Sequence, residues 1–123
     1  MTSSDAQVGR DAQRNAHDVL RLLLNAPQLT QYYHFDKRPE RAPLRIVNKS
    51  GLDIGKPDVT AAGQKVVLSS EASDKAIEIT RFTLADDRAE IVFTFRVEGV
   101  RGNASFNKVQ GNWILDKLSV AEK

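Results

Sequence analysis

One alternating stretch, residues 89–97, constrains the fold more than any other part of the chain. Its apolar side chains occupy every second position, at Ala89, Ile91, Phe93, Phe95 and Val97. The positions between them are mostly polar, with Glu90, Thr94 and Arg96. A period of two is typical of a β-strand with one face against a hydrophobic core. The stretch therefore predicts a strand at the centre of a sheet, and Val92 indicates that its outer face is not wholly solvated.

Similar patterns on both sides of this strand predict an antiparallel meander from Ala76 to Val120. Further strands are predicted at 76–84, at 104–109 and from 113 onward. Hairpin turns are predicted at 86–88 and 110–112. Gly99 and Gly102 indicate a bulge or a turn with positive φ after the central strand.

The N-terminal region predicts one amphipathic helix, from Asp5 to Asn25. Ser4 and Gln7 have the spacing of a capping box, and Pro27 ends the pattern. An apolar stripe recurs at helical spacing, formed by Ala12, Ala16, Val19, Leu20 and Leu23. The small side chains at the start of this stripe favour close approach to a sheet.

The middle of the chain carries weaker signals. A second short helix or an irregular segment is predicted for 27–35, and a proline-containing loop for 36–43. Short strands are predicted at 44–47 and 64–68, with extended pieces between 52 and 63 and a polar connection at 69–74.

These elements predict an α+β fold in which the helix packs on a curved antiparallel β-meander of about four to six strands. The whole chain, 1–123, is expected to be one domain, with residues 1–4 flexible. The helical stripe is expected to cover Ile77, Ile79, Ile91, Phe93 and Phe95, each worth roughly 1.5–3 kcal/mol when fully buried.

Composition excludes several classes of function. The chain of 123 residues has 41% hydrophobic and 28% charged residues and no cysteine, which predicts a soluble globular domain without disulfides, zinc–cysteine sites or thiol nucleophiles. A net charge of +2 is small for a nucleic-acid-binding protein. No apolar run has the ~20 residues that a membrane-spanning helix needs. We expect no cofactor, and the sequence leaves the oligomeric state open.

The first residues, 1–5, are polar and lack the apolar segment of a signal peptide. A start of this kind is also what remains when an export signal is replaced by Met. A periplasmic or envelope-associated location, with a lipid anchor upstream, is therefore an expectation.

Three segments resemble the closing hairpins of cystatin-like and nuclear-transport-factor-2-like α+β domains: 93–97, 104–106 and 111–115 with Trp113. The resemblance covers about the C-terminal third and the presence of the helix. It implies a helix cradled by a curved sheet. It does not imply one activity, because such families include enzymes, transport factors, secretion components and immunity proteins.

No catalytic or metal-binding motif emerges from the sequence. His17 flanks the apolar stripe, which favours a satisfied structural histidine over a ligand. His34 stands two residues before Asp36, a pairing that is compatible with a general base but more simply explained by packing beneath the helix. Asp86 and Asp87 lie at a predicted hairpin tip, where nothing would raise a carboxyl pKa for acid catalysis.

The strongest surface candidate is the segment Tyr32 to Lys49, in which basic residues outnumber acidic ones. Tyrosine and arginine are enriched in interface hot spots, and prolines that stiffen a loop reduce the entropy cost of binding. The predicted partner-binding residues are Tyr32, Tyr33, His34, Lys37, Arg38, Arg41 and Arg45. A solvated loop explains the same composition about equally well.

The sequence thus predicts a non-enzymatic protein-binding module that engages a partner through this loop or an exposed sheet face. An exported bacterial envelope or immunity-type protein is its concrete form. The alternative is a small-molecule-binding protein or enzyme with a pocket between helix and sheet, using His34 or Asp36 at its mouth.

Overall fold

A computed structural model describes residues 3–34, 37–39, 43–56, 59–69 and 75–122. Two helices come first along the chain, α1 (Ser3–Leu24) and α2 (Pro27–Thr30). They are followed by seven strands: β1 (Leu44–Asn48), β2 (Thr60–Ala61), β3 (Gln64–Leu68), β4 (Ile77–Leu84), β5 (Arg88–Phe95), β6 (Val100–Val109) and β7 (Asn112–Glu122). A 3-10 helix, Arg96–Glu98, connects β5 to β6.

The strands form one curled sheet, a half-barrel, in the order β2-β3-β1-β4-β5-β6-β7. The α+β prediction is confirmed, and β4 to β7 pair antiparallel in sequence order as the meander predicted. Two features differ from the prediction. The sheet has seven strands, and β1 runs parallel to both of its neighbours, β3 and β4. Short apolar runs such as 44–47 and 64–68 indicate strands but do not encode their direction, which depends on crossover connections.

Helix α1 covers the inner face of the sheet with the predicted stripe. Ala16, Val19, Leu20 and Leu23 are fully buried, and so are the predicted sheet residues Ile77, Ile79, Ile91 and Phe93. Because α1 begins at Ser3, Ser4 lies inside the helix, and the predicted capping box is misplaced. The apolar spacing predicted the buried face correctly because tertiary burial, more than capping, selects it.

The segment that follows α2 closes one end of the core. Tyr33 is 1% exposed, and its hydroxyl donates a hydrogen bond to the Leu24 carbonyl at 2.6 Å. Its ring meets Phe95 edge-on, with 6.2 Å between centroids. Burial raises the pKa of the Tyr33 phenol, because the charged form is poorly solvated there.

The β6–β7 hairpin is joined to α1 through Trp113. The indole Nε1 donates to Asn15 Oδ1 at 3.1 Å, and Lys108 Nζ lies 5.8 Å from the indole centroid. The same Asn15 oxygen accepts from Lys108 at 3.4 Å. These contacts fix α1 against the β6–β7 edge of the sheet. The outer face of the sheet, on the side away from α1, is left uncovered by the helix.

Candidate functional site

The aromatic residues of the predicted partner-binding segment are tied to the rest of the fold. Tyr33 lies in the core. The Tyr32 hydroxyl donates to Glu122 at 2.9 Å, and this hydrogen bond is the main reason that its pKa is raised. His34 has a φ of 56° and places its Nε2 3.1 Å from the Glu98 carboxylate. The half-buried Tyr32 and the exposed His34 are thus held beside the C-terminal half of the sheet.

The basic residues of that segment are spread over two elements. Lys37 and Arg38 are exposed in a turn whose N–H groups both donate to the His34 carbonyl. Arg45 lies on β1, half-buried on the outer face. Arg41 lies outside the described residues, as does Asp36.

His17 is a satisfied structural residue, as predicted. Its Nε2 donates to the Ile54 carbonyl at 2.7 Å, across the part-buried seam between α1 and the loop before β2. The ring therefore positions the loop that precedes β2.

A tight hairpin shapes the end of the sheet formed by β2 and β3. Ala62 and Gly63 both have positive φ, 50° and 80°, which is typical of a two-residue turn between strands. Strand β2 pairs only with Gln64 and Lys65, and one further bond runs from Val66 N–H to the Val59 carbonyl at 3.0 Å. Backbone groups on a strand point alternately to its two sides, so the Leu68 N–H points to the same side as the Val66 N–H, beyond the β2–β3 pairs that the described residues form.

An open groove lies along this edge of β3. Its volume is about 510 Å³, and it is lined by Gly55, Lys56, Lys65, Val66, Val67 and Leu68. Val67 is 37% exposed and Leu68 is 40% exposed, which is high for aliphatic side chains. Arg45 pairs in register with Val67 and stands next to it on the outer face. We call this feature the β3 edge groove.

A second concave feature lies on the outer face over β4, β5 and β6. Strand pairing aligns Glu78, Thr94 and Arg101 in one row across these three strands. Thr80, Arg96, Gly99 and Val100 complete a cavity of about 340 Å³ around that row. We call it the Glu78 cup.

The floor of the cup contains a buried charge. Glu78 is 3% exposed, and its Oε2 lies 3.2 Å from Lys49 Nζ and 3.6 Å from Arg96 Nη2. Its other oxygen, Oε1, is buried and has no hydrogen-bond partner in the part of the chain that the structure describes. Carboxylates are almost never buried unless paired, so this half-satisfied group marks the cup as unusual.

Neither surface was identified by sequence reasoning. Glu78 was not singled out: its position between Ile77 and Ile79 is compatible with the outer face, but the alternating pattern gives no sign of its burial. Thr94 and Arg96, which fall on the polar face of the central strand, could have indicated polar partners for Glu78 across the sheet. The groove depends on where β2 stops pairing, which composition does not reveal.

The space between helix and sheet proposed in the alternative reading is occupied by side chains. Leu20, Leu23, Phe93 and Phe95 are at most 1% exposed there. His34, the described residue expected at its mouth, pairs instead with Glu98 near the 3-10 helix. Within the described ranges, no cluster of three or more acidic or histidine side chains could hold a metal ion, and no helix is long and apolar enough to cross a membrane.

Comparison with known proteins adds no family. No protein-family model, no curated protein and no solved structure matches the chain. Its function is therefore argued from the two surface features.

Proposed function

We propose that this protein is a non-enzymatic protein-binding module that accepts an extended acidic segment of its partner along the β3 edge groove. The observation that carries the proposal is that, among the described residues, the β2–β3 pairing ends at Val66, beside the exposed aliphatic side chains of Val67 and Leu68. Edge strands with accessible backbone groups pair readily with a strand from another chain.

The backbone supplies the alignment. Val66 and Leu68 direct their peptide groups to the side of β3 that β2 occupies. The Val66 N–H already bonds to the Val59 carbonyl, so in our proposal an incoming strand lies along Val66 to Leu68 and pairs beyond this bond, with the Leu68 peptide group. Three residues of edge span roughly 10 Å, enough for a short strand addition. Main-chain hydrogen bonds of this kind provide affinity with little dependence on the partner's sequence.

The side chains supply selectivity. Val67 and Leu68 give the groove an apolar centre, and Lys56 and Lys65 lie at its sides. An apolar centre with a charged rim is the usual composition of a protein interface. Because the charged groups that line the groove are cationic, a segment that alternates aliphatic and acidic residues is the complementary partner.

The predicted partner-binding segment contributes through Arg45, which stands beside Val67. Lys37 and Arg38 remain proposed secondary contacts on the loop that precedes β1, and Tyr33 is excluded by its burial. Long-range attraction to these cations would raise the association rate and would weaken with salt. The envelope or immunity-type role stays a prediction that the identity of the partner would decide.

The test combines affinity capture with a defined peptide. The edge variant carries Lys65→Glu and Val67→Glu, which oppose an acidic strand. The control variant carries Arg88→Glu and Val92→Glu on β5; it has the same charge change, and Val92 is 36% exposed against 37% for Val67. A partner captured by the wild type and the control, but not by the edge variant, would support the proposal.

A synthetic peptide of alternating valine and glutamate then tests the binding mode. We expect it to shift the amide NMR signals of residues 66–68 and to bind more weakly as salt rises. Unchanged β3 amides, or equal loss of binding in the edge and control variants, would contradict the assigned surface.

A further inference from the structure

The two oxygens of the Glu78 carboxylate differ in their surroundings within the part of the chain that the structure describes. Lys49 and Arg96 both approach Oε2, while Oε1 is buried and has no hydrogen-bond partner among the described residues. A buried acceptor that lacks a donor costs free energy, and more so when it is charged. A donor that comes from outside the chain would remove this cost.

The walls of the cup limit what that donor can be. Lys49, Arg96 and Arg101 surround Glu78 with positive charge. An ammonium group placed at Oε1 would be repelled by these cations, whereas a hydroxyl group would not. The same cations, and Arg101 in particular, would attract an anionic group on the other side of the ligand. The Thr80 hydroxyl already donates to the Val92 carbonyl at 3.2 Å and can still accept a hydrogen bond.

Spacing across the sheet sets the size of the ligand. Glu78 and Arg101 are separated by β5, so their backbones lie roughly 10 Å apart at the usual strand spacing. Their side chains both project into the cup. A ligand that reaches both groups must hold its hydroxyl and its anionic group several bonds apart, and the volume of about 340 Å³ accommodates a small molecule of that length.

We propose that the Glu78 cup binds a small hydroxy acid of the sugar-acid type. A ligand hydroxyl donates to Glu78 Oε1, and the ligand carboxylate pairs with Arg101 and Arg96. The Arg96 side chain is 58% exposed and its contact with Glu78 is long, at 3.6 Å, so it can turn toward the ligand and open the way to Oε1. This proposal is independent of the β3 edge groove.

The probe is sodium D-gluconate, titrated into the isotopically labelled protein at constant ionic strength and followed by amide NMR. We expect saturable shifts at Glu78, Thr94 and Arg101. Sodium acetate offers the carboxylate without hydroxyl groups. It should bind at least about tenfold more weakly than gluconate, a difference of about 1.4 kcal/mol or more in binding free energy. Glycerol offers hydroxyl groups without charge and should not bind.

Two variants locate the interaction. In Glu78→Gln the amide oxygen will face Lys49 and Arg96, which leaves an NH2 group where the acceptor was, so gluconate should bind at least about tenfold more weakly. Arg101→Gln removes the carboxylate partner and should weaken binding similarly. Arg88→Gln, at the far end of β5, is the matched control and should bind as the wild type does.

Several results would overturn the proposal. Equal binding of gluconate and acetate would show a plain anion patch, and absence of saturation would show no site. If Glu78→Gln does not fold, Arg101→Gln compared with Arg88→Gln decides the matter, because both positions are exposed. Loss of gluconate binding would leave the peptide test of the β3 edge groove unaffected, so failure of one proposal is distinguishable from failure of the other.

Discussion

Phe93 and Val92 are neighbours on β5, yet they face opposite environments. Phe93 is fully buried beneath α1, while Val92 is 36% exposed on the outer face. The comparison extends to β4, where Ile77 and Ile79 point inward and Glu78 points outward. The inner face therefore holds most of the folding free energy, and the outer face holds groups that are open to a ligand. On β4 and β5, Glu78 is the exception, since it is both outward-facing and buried.

Substitutions at these neighbouring positions give the largest expected contrast. Phe93→Ala should lower the free energy of unfolding by about 3–5 kcal/mol, because it removes buried area and leaves a cavity. Val92→Ala, one residue away, should change it by no more than about 0.5 kcal/mol. Urea denaturation of both variants measures the difference. Similar losses would show that the outer face is also part of the packed core.

Gly102 tests the inner face from the neighbouring strand. A Cβ atom there would lie 2.6 Å from Phe93 Cζ and 2.7 Å from the Ser119 carbonyl oxygen. Because the carbonyl belongs to the backbone of β7, the clash cannot be relieved by a rotamer change alone. We expect Gly102→Ala to cost about 1–3 kcal/mol of stability, the range for an overpacked core.

The control for Gly102→Ala is Asn103→Ala, at the next position on β6 and exposed on the outer face. It should be nearly neutral, within about 0.5 kcal/mol. A neutral Gly102→Ala would mean that the Phe93 ring and the Ser119 backbone both shift at little cost, and the close approach would then have no role in setting the inner face.

The inner face could be predicted from the sequence, and the outer face could not. Alternation at 89–97 and the helical stripe from Ala16 to Leu23 encode burial directly, because apolar spacing repeats with the geometry of each element. The prediction of a bulge or turn at Gly99 and Gly102 was correct for only one of the two glycines. Gly99 makes the expected turn with positive φ, whereas Gly102 lies inside β6 to admit the Phe93 ring. Close approach between strands depends on register, which no local pattern specifies.

The direction of the parallel strands and the position of both candidate sites also depend on how distant strands pair. The Glu78 cup exists because β4, β5 and β6 align Glu78, Thr94 and Arg101 in one row. The β3 edge groove lies where the described residues Val59 to Ala61 end their pairing with β3, at Val66. Long-range pairing therefore determines the sites, while local periodicity determines the core.

Tyr33 places a polar group, its phenol hydroxyl, among the buried side chains of the inner face. Tyr33→Phe removes the hydrogen bond to the Leu24 carbonyl and should cost about 1 kcal/mol at neutral pH. Burial raises the folded-state pKa of Tyr33 above its unfolded value near 10. The folded state therefore binds the proton more tightly, and wild-type stability should fall as the pH rises above about 10.

The pH dependence provides the control for this prediction. Tyr33→Phe should lose less stability than the wild type between roughly pH 9 and 11, so the gap between them should narrow there. Tyr32→Phe, at a half-buried position, should keep most of the wild-type slope. Equal slopes in the wild type and in Tyr33→Phe would show that the phenol does not stay buried in the folded protein.

Lys49 tests the exception on the outer face and has the smallest expected effect. Lys49→Met keeps the aliphatic stem and removes the 3.2 Å contact with Glu78. A buried charge that loses a partner is destabilising, but Lys49 is 46% exposed, so solvent limits the loss to about 0.5–1 kcal/mol. Urea denaturation at low and high salt measures the loss, which should shrink at high salt because exposed charges are screened.

A double-mutant cycle with Glu78→Gln isolates this interaction. If Lys49 acts through the buried carboxylate, its substitution should be almost neutral once Glu78 is already glutamine. A cost that persists in the double variant would assign the effect to the aliphatic stem of Lys49 covering the sheet. In that case Lys49 would stabilise the outer face by burial of its stem, as residues of the inner face do, and its charge would not be needed to offset the buried carboxylate of Glu78.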